Sequence, residues 1–138
     1  MNNYNINDEE LNNSLEYQNF IKENKGEGYL RIRAYGASEA VPIKGLKIVV
    51  STLIDDNTRV IFYEGETDSS GMIERLNLPA PKRGDDNLVI PKWTVYDIRA
   101  TYNDITEIFK VNLYDGICVQ QVINITPSSL VRGFNYGN

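Results

Sequence analysis

The sequence predicts an all-β protein, a seven-stranded antiparallel Greek-key β-sandwich carrying an N-terminal helical or flexible arm. Three observations lead there. From Gly28 onward apolar residues recur with a period of two, turn residues break that pattern every 8–12 residues, and the acidic charge is concentrated ahead of it. At 138 residues the chain suits one domain, and its composition, 41% hydrophobic and 24% charged, is that of an ordinary globular protein.

Residues 1–27 read as an acidic arm. Through Gly28, six acids stand against Lys22 and Lys25, whereas residues 29–138 are nearly neutral. Asn7 followed by Glu10 resembles a capping box, and Lys25 with Gly26 supplies a stop, so the spacing predicts a helix over 7–25. Its apolar residues (Leu11, Leu15, Tyr17, Phe20, Ile21) form a patchy stripe, suited to lying on the sandwich or to joining chains into an oligomer.

Residues 28–127 supply the strands. Leu30, Ile32 and Ala34 alternate with Arg31, Arg33 and Tyr35; Leu46, Ile48 and Val50 follow a Pro42–Gly45 turn. After Asp55–Asn57 comes a strand from Val60 to Glu66, then Ile73, Leu76 and Leu78 beyond Gly71. Residues 79–93 are expected to form a long loop. Tyr96, Ile98, Ala100 and Tyr102 mark a fifth strand, Ile108–Leu113 a sixth after Asn103–Asp104, and Ile117–Ile125 a seventh after Asp115–Gly116, stopped by Pro127. Residues 128–138 are a polar tail.

The sequence contains no histidine, which removes Ser-His-Asp and Cys-His arrangements and the usual zinc sites. No phosphate-cradling glycine loop occurs. The pairs Asp55/Asp56 and Asp85/Asp86 lack the alternating spacing of a calcium loop and read as turn acids. No catalytic, cofactor or metal site is therefore predicted. The acidic balance argues against a nucleic-acid partner. No apolar stretch approaches the ~20 residues of a membrane span. The N-terminus lacks the basic and apolar regions of a signal peptide, so cytoplasmic synthesis is expected. Cys118, in the apolar run Ile117–Val119, reads as a buried, inert thiol.

Thr67-Asp68-Ser69-Ser70-Gly71, preceded by Val41-Pro42-Ile43 and the strand Gly45–Val50, resembles the transthyretin-like, carboxypeptidase-regulatory-like or Cna-B type sandwich. Leu78-Pro79-Ala80-Pro81, with Tyr96 opening the next strand, is similar to the accessory domain of spore cortex-lytic and peptidoglycan-binding proteins of spore-forming bacteria. The likeness spans about residues 28–127. It implies a prealbumin-like fold and a non-catalytic scaffold or binding module of the spore or cell envelope. A structural component of a prophage or related particle is the alternative, and a histidine-free enzyme a third reading. The purine-breakdown hydrolases of this fold need histidines and a Tyr-Arg-Gly-Ser end, neither present here. Isopeptide-linked relatives need a first-strand lysine facing a last-strand asparagine and an acid; Asn124 is available, but the first strand offers Arg31 and Arg33. The expected partner is a protein, peptide or glycan, met by Lys82, Arg83 and the single tryptophan, Trp93, in the proline-stiffened loop. The competing reading has Trp93 plugging one end of the sandwich.

Overall fold

The computed structural model describes residues 2–5, 9–36, 41–84 and 91–125. The sequence elements assigned to Asn7, Asp85/Asp86, Pro127 and the tail lie outside these residues.

All seven expected strands form: β2 (Gly26–Gly36), β4 (Lys47–Leu53), β5 (Thr58–Glu66), β6 (Met72–Ala80), β7 (Thr94–Tyr102), β8 (Ile105–Leu113) and β9 (Cys118–Ile125). Two short strands join them, β1 (Asn2–Asn5) and β3 (Val41–Pro42). One sheet runs β1-β5-β4-β7-β8; the other places β2 between β9 on one side and β6, extended by β3, on the other. The chain passes between sheets, and β7 lies beside β4 rather than β5, as a Greek-key crossing requires. Hairpin neighbours are antiparallel, but β2 pairs parallel with β9 and β1 parallel with β5, so both sheets are mixed. Strands so distant in sequence have no tight turn to impose opposite directions.

The inner faces meet as one core. Ile48, Val50, Tyr96, Ile98 and Leu113 of the first sheet pack against Leu30, Ile32, Ala34, Leu78 and Ile123 of the second. Burial on this scale, at about 25 cal/mol per Å² of apolar surface, is what drives the two sheets together. The architecture is a two-sheet β-sandwich.

The turn motif is built as its residues suggest. Asp68 Oδ1 accepts the N–H groups of Ser70 (2.9 Å) and Met72 (3.0 Å), while Gly71 takes φ +74°. A Cβ on Gly71 would lie 2.5 Å from the Ala34 carbonyl oxygen, so the close strand approach demands glycine. After β7, Asn103 fills a left-handed position (φ 54°), a conformation asparagine tolerates better than most residues.

Three expectations change. The single helix over 7–25 becomes α1 (Glu9–Asn12) and α2 (Leu15–Glu23). Ser14 breaks it: its backbone is extended, and its hydroxyl accepts the Tyr17 N–H as an N-cap. Part of the arm's stripe lies on the sandwich, one of its two expected placements: Leu11 and Phe20 are buried, and the Phe20 ring is tilted against Phe62, 6.0 Å between centroids. Leu15 and Ile21 remain exposed. The loop expected over 79–93 starts later, since Pro79 and Ala80 pair with Glu27 and Gly26. Cys118 is exposed, not buried, because its register opposite Tyr29 places it on the outer face of its sheet.

Candidate functional site

The C-terminus of α2, the start of β7 and the β8–β9 turn converge at one end of the sandwich. Asn24 caps α2 by donating its Nδ2 to the Phe20 carbonyl at 2.8 Å. Its Oδ1 accepts the hydroxyl of Thr94, the first residue of β7. This fixes the chain next to Trp93, which is 46% exposed and tilted against Tyr114 at 5.9 Å between centroids. Trp93 therefore keeps nearly half of its surface exposed. Glu23, Asn24, Pro81, Lys92, Trp93 and Thr94 line a cleft of about 570 Å³. An indole face flanked by one acid and one base can bind a partner through stacking and hydrogen bonds.

Beside this cleft, Asp115 holds two chain segments. Its Oδ2 accepts the Arg83 N–H and its Oδ1 the Glu27 N–H, both at 3.0 Å. The Arg83 bond foremost, then the Glu27 bond, holds the Asp115 carboxyl below its usual range. The side chains of Lys82 and Arg83 are exposed, and neither is among the residues lining the Trp93 cleft. Of the three residues predicted from sequence, only Trp93 lines that cleft; Lys82 and Arg83 stand just past Pro81. Glu23, Asn24 and Thr94 were not anticipated, and Lys92 belongs to the loop expected to carry the contact without being among its three named contact residues. Lys92 was legible as a cation beside the tryptophan, whereas the Asn24–Thr94 bond spans 70 positions and has no local signal.

A second polar cluster occupies the outer face of the five-stranded sheet. Asp97 meets Arg59 at 2.5 Å and Lys110 at 2.7 Å, and Arg59 also donates to the Ser51 hydroxyl at 3.0 Å. Burial pushes the Asp97 carboxyl up, but the bonds from Lys110 and Arg59 outweigh it and hold the carboxyl below its usual range. A carboxylate bound at both oxygens pins β5, β7 and β8 together and is poorly disposed to accept a proton. Tyr96, wholly buried, has its hydroxyl ionisation pushed up chiefly by burial, and donates to the Pro79 carbonyl. Asp55 caps its own turn by accepting the Asn57 N–H at 2.8 Å.

No protein-family model matches the chain, and no curated protein matches it. Among solved structures it is similar to the TIE protein of Bacillus anthracis (TM-score 0.49, 18% identity), covering 72% of this chain and 16% of that one. It is also similar to a minor pilin of Streptococcus agalactiae (TM-score 0.49, 15% identity), covering 72% of this chain and 44% of the pilin. A third is the 5-hydroxyisourate hydrolase of Klebsiella pneumoniae (TM-score 0.47, 14% identity), covering 72% of this chain and 90% of the hydrolase. The chain thus spans less than half the length of the first two.

Proposed function

We propose that this chain is a non-catalytic binding or scaffold module of the spore or cell envelope, and that the Trp93 cleft receives its protein, peptide or glycan partner. The observation that carries this reading is the half-exposed tryptophan, held against Tyr114 beside a cleft of about 570 Å³. The large aromatic surface is already ordered, so little conformational entropy is lost when a partner covers it. A sequence without histidine, and an Asp97 engaged at both oxygens, favour binding over proton-transfer chemistry.

Trp93 is the only tryptophan, so its fluorescence reports on this cleft alone. Titration with soluble peptidoglycan fragments is expected to shift that emission, and Trp93→Ala to weaken binding at least about tenfold in a folded protein. Binding that leaves both the emission and the Trp93→Ala affinity unchanged would overturn the assignment.

A further inference from the structure

The outer face of the smaller sheet carries an unneutralised row of guanidinium groups. Strand alternation sends Leu30, Ile32 and Ala34 into the core, so Tyr29, Arg31, Arg33 and Tyr35 point outward from β2. Arg75 of β6 lies over the Tyr29 ring at 3.9 Å, and Arg33 over the Tyr35 ring at 4.9 Å. Arg31 donates its Nε to the Glu74 carbonyl at 3.2 Å. These contacts hold the three arginines in place without cancelling their charge.

Among the described residues, both ion pairs belong to Asp97 on the other sheet, and no carboxylate pairs with Arg31, Arg33 or Arg75. The Nε of Arg33 is buried and lacks a hydrogen-bond partner. On β9, Gln120 stands in register with Arg31 and Asn124 with Tyr35, adding amide groups but no acid. Glu74, beside Arg31, and Glu27, at the start of β2, are exposed on the same face but form no ion pair with these arginines. In a chain of net charge −5, the three guanidinium groups thus leave this face positive on balance.

The spacing suggests what it fits. Arg31 and Arg33, two residues apart on one strand, leave the sheet about 6.7 Å apart. An extended peptide repeats its same-side residues at that interval. Carboxylates on alternate residues would therefore each meet one guanidinium, which can bind a carboxylate through two parallel N–H bonds. Tyr29 and Tyr35 flank the pair as apolar stops.

We propose that this face binds an extended acidic peptide segment with alternating carboxylates, met by Arg31 and Arg33 and supported by Arg75. The site is on a different surface from the Trp93 cleft and stands independently of it. A labelled peptide of alternating glutamate and threonine is the probe, followed by fluorescence anisotropy at low ionic strength. Wild-type protein binds it, and replacing its glutamates with glutamine abolishes binding. The double variant Arg31→Gln, Arg33→Gln weakens binding at least about tenfold while keeping the wild-type thermal transition. Arg31→Lys with Arg33→Lys restores only part of the affinity, because lysine lacks the two-pronged geometry. Arg99→Gln, on the opposite sheet's outer face, leaves binding unchanged. The proposal is overturned if wild-type protein ignores the glutamate–threonine peptide, or if the double glutamine variant binds it equally well. It is also overturned if a peptide of the same composition with clustered glutamates, or a sulfated glycan, binds as tightly.

Discussion

Asp115 accepts the backbone N–H of Arg83 at 3.0 Å, and through this bond a turn between β8 and β9 positions the segment that follows β6. Its second oxygen holds Glu27 at the start of β2. The folded carboxyl titrates below its unfolded value of about 3.9. A depressed carboxyl pKa contributes stability above the unfolded value and loses it as pH falls through the folded one. The amide proton resonances of Arg83 and Glu27 should therefore titrate together, with a midpoint below that of an ordinary aspartate. In Asp115→Asn neither should show this transition. Independent midpoints for the two amides would show that they do not share the carboxylate.

Thr67 ties the turn before β4 to the end of β5. Its buried hydroxyl donates to the Ile43 carbonyl at 2.6 Å and accepts the Leu46 N–H at 3.0 Å. Thr67→Val keeps the shape but leaves both backbone groups without a partner, costing about 2–3 kcal/mol, and Thr67→Ser should cost less. Urea unfolding measures both, and equal losses would assign the effect to packing instead.

Gly71→Ala should cost more than about 1 kcal/mol, because φ +74° and the Ala34 carbonyl both oppose a Cβ. A neutral result in urea unfolding would mean that the turn relaxes away from Ala34.

Phe20 links α2 to the sandwich through Phe62, whose ring in turn meets Tyr96 edge-on at 5.7 Å. Phe20→Ala should destabilise the protein by about 3 kcal/mol, read as a lowered urea midpoint. Removing residues 1–25 should lower the melting temperature further while leaving a single cooperative transition, since both sheets keep their facing cores. Loss of cooperativity would show that the arm is needed to complete the fold.

The intact mass should equal the sequence mass of 15.7 kDa, without loss of ammonia or water. In the parallel β2–β9 register Asn124 lies opposite Tyr35, and Arg33 lies opposite Val122, so no lysine of β2 faces Asn124. A deficit of one ammonia on mass spectrometry would contradict this.

Much of the fold was legible because pleat and turn chemistry are local. Alternation in Leu30–Ala34 or Tyr96–Ala100 reveals which side chains face inward, and Asp68 with Gly71 announces a turn whatever surrounds it. Trp93 stood out as a tryptophan in a proline-stiffened loop. Local pattern does not reveal which strands become neighbours. The tertiary structure set β9 parallel to β2 and thereby turned Cys118 outward. It also inserted a bulge between Val50 and Ser51, leaving Phe62 as the extra residue that reaches Phe20. Residues far apart in the chain met at this end of the sandwich, where Asn24 binds Thr94 in the cleft and Asp115 binds Arg83 beside it. Alternation along a strand is fixed by the geometry of each residue and its neighbours, whereas pairing depends on how two complete sheets bury their faces together.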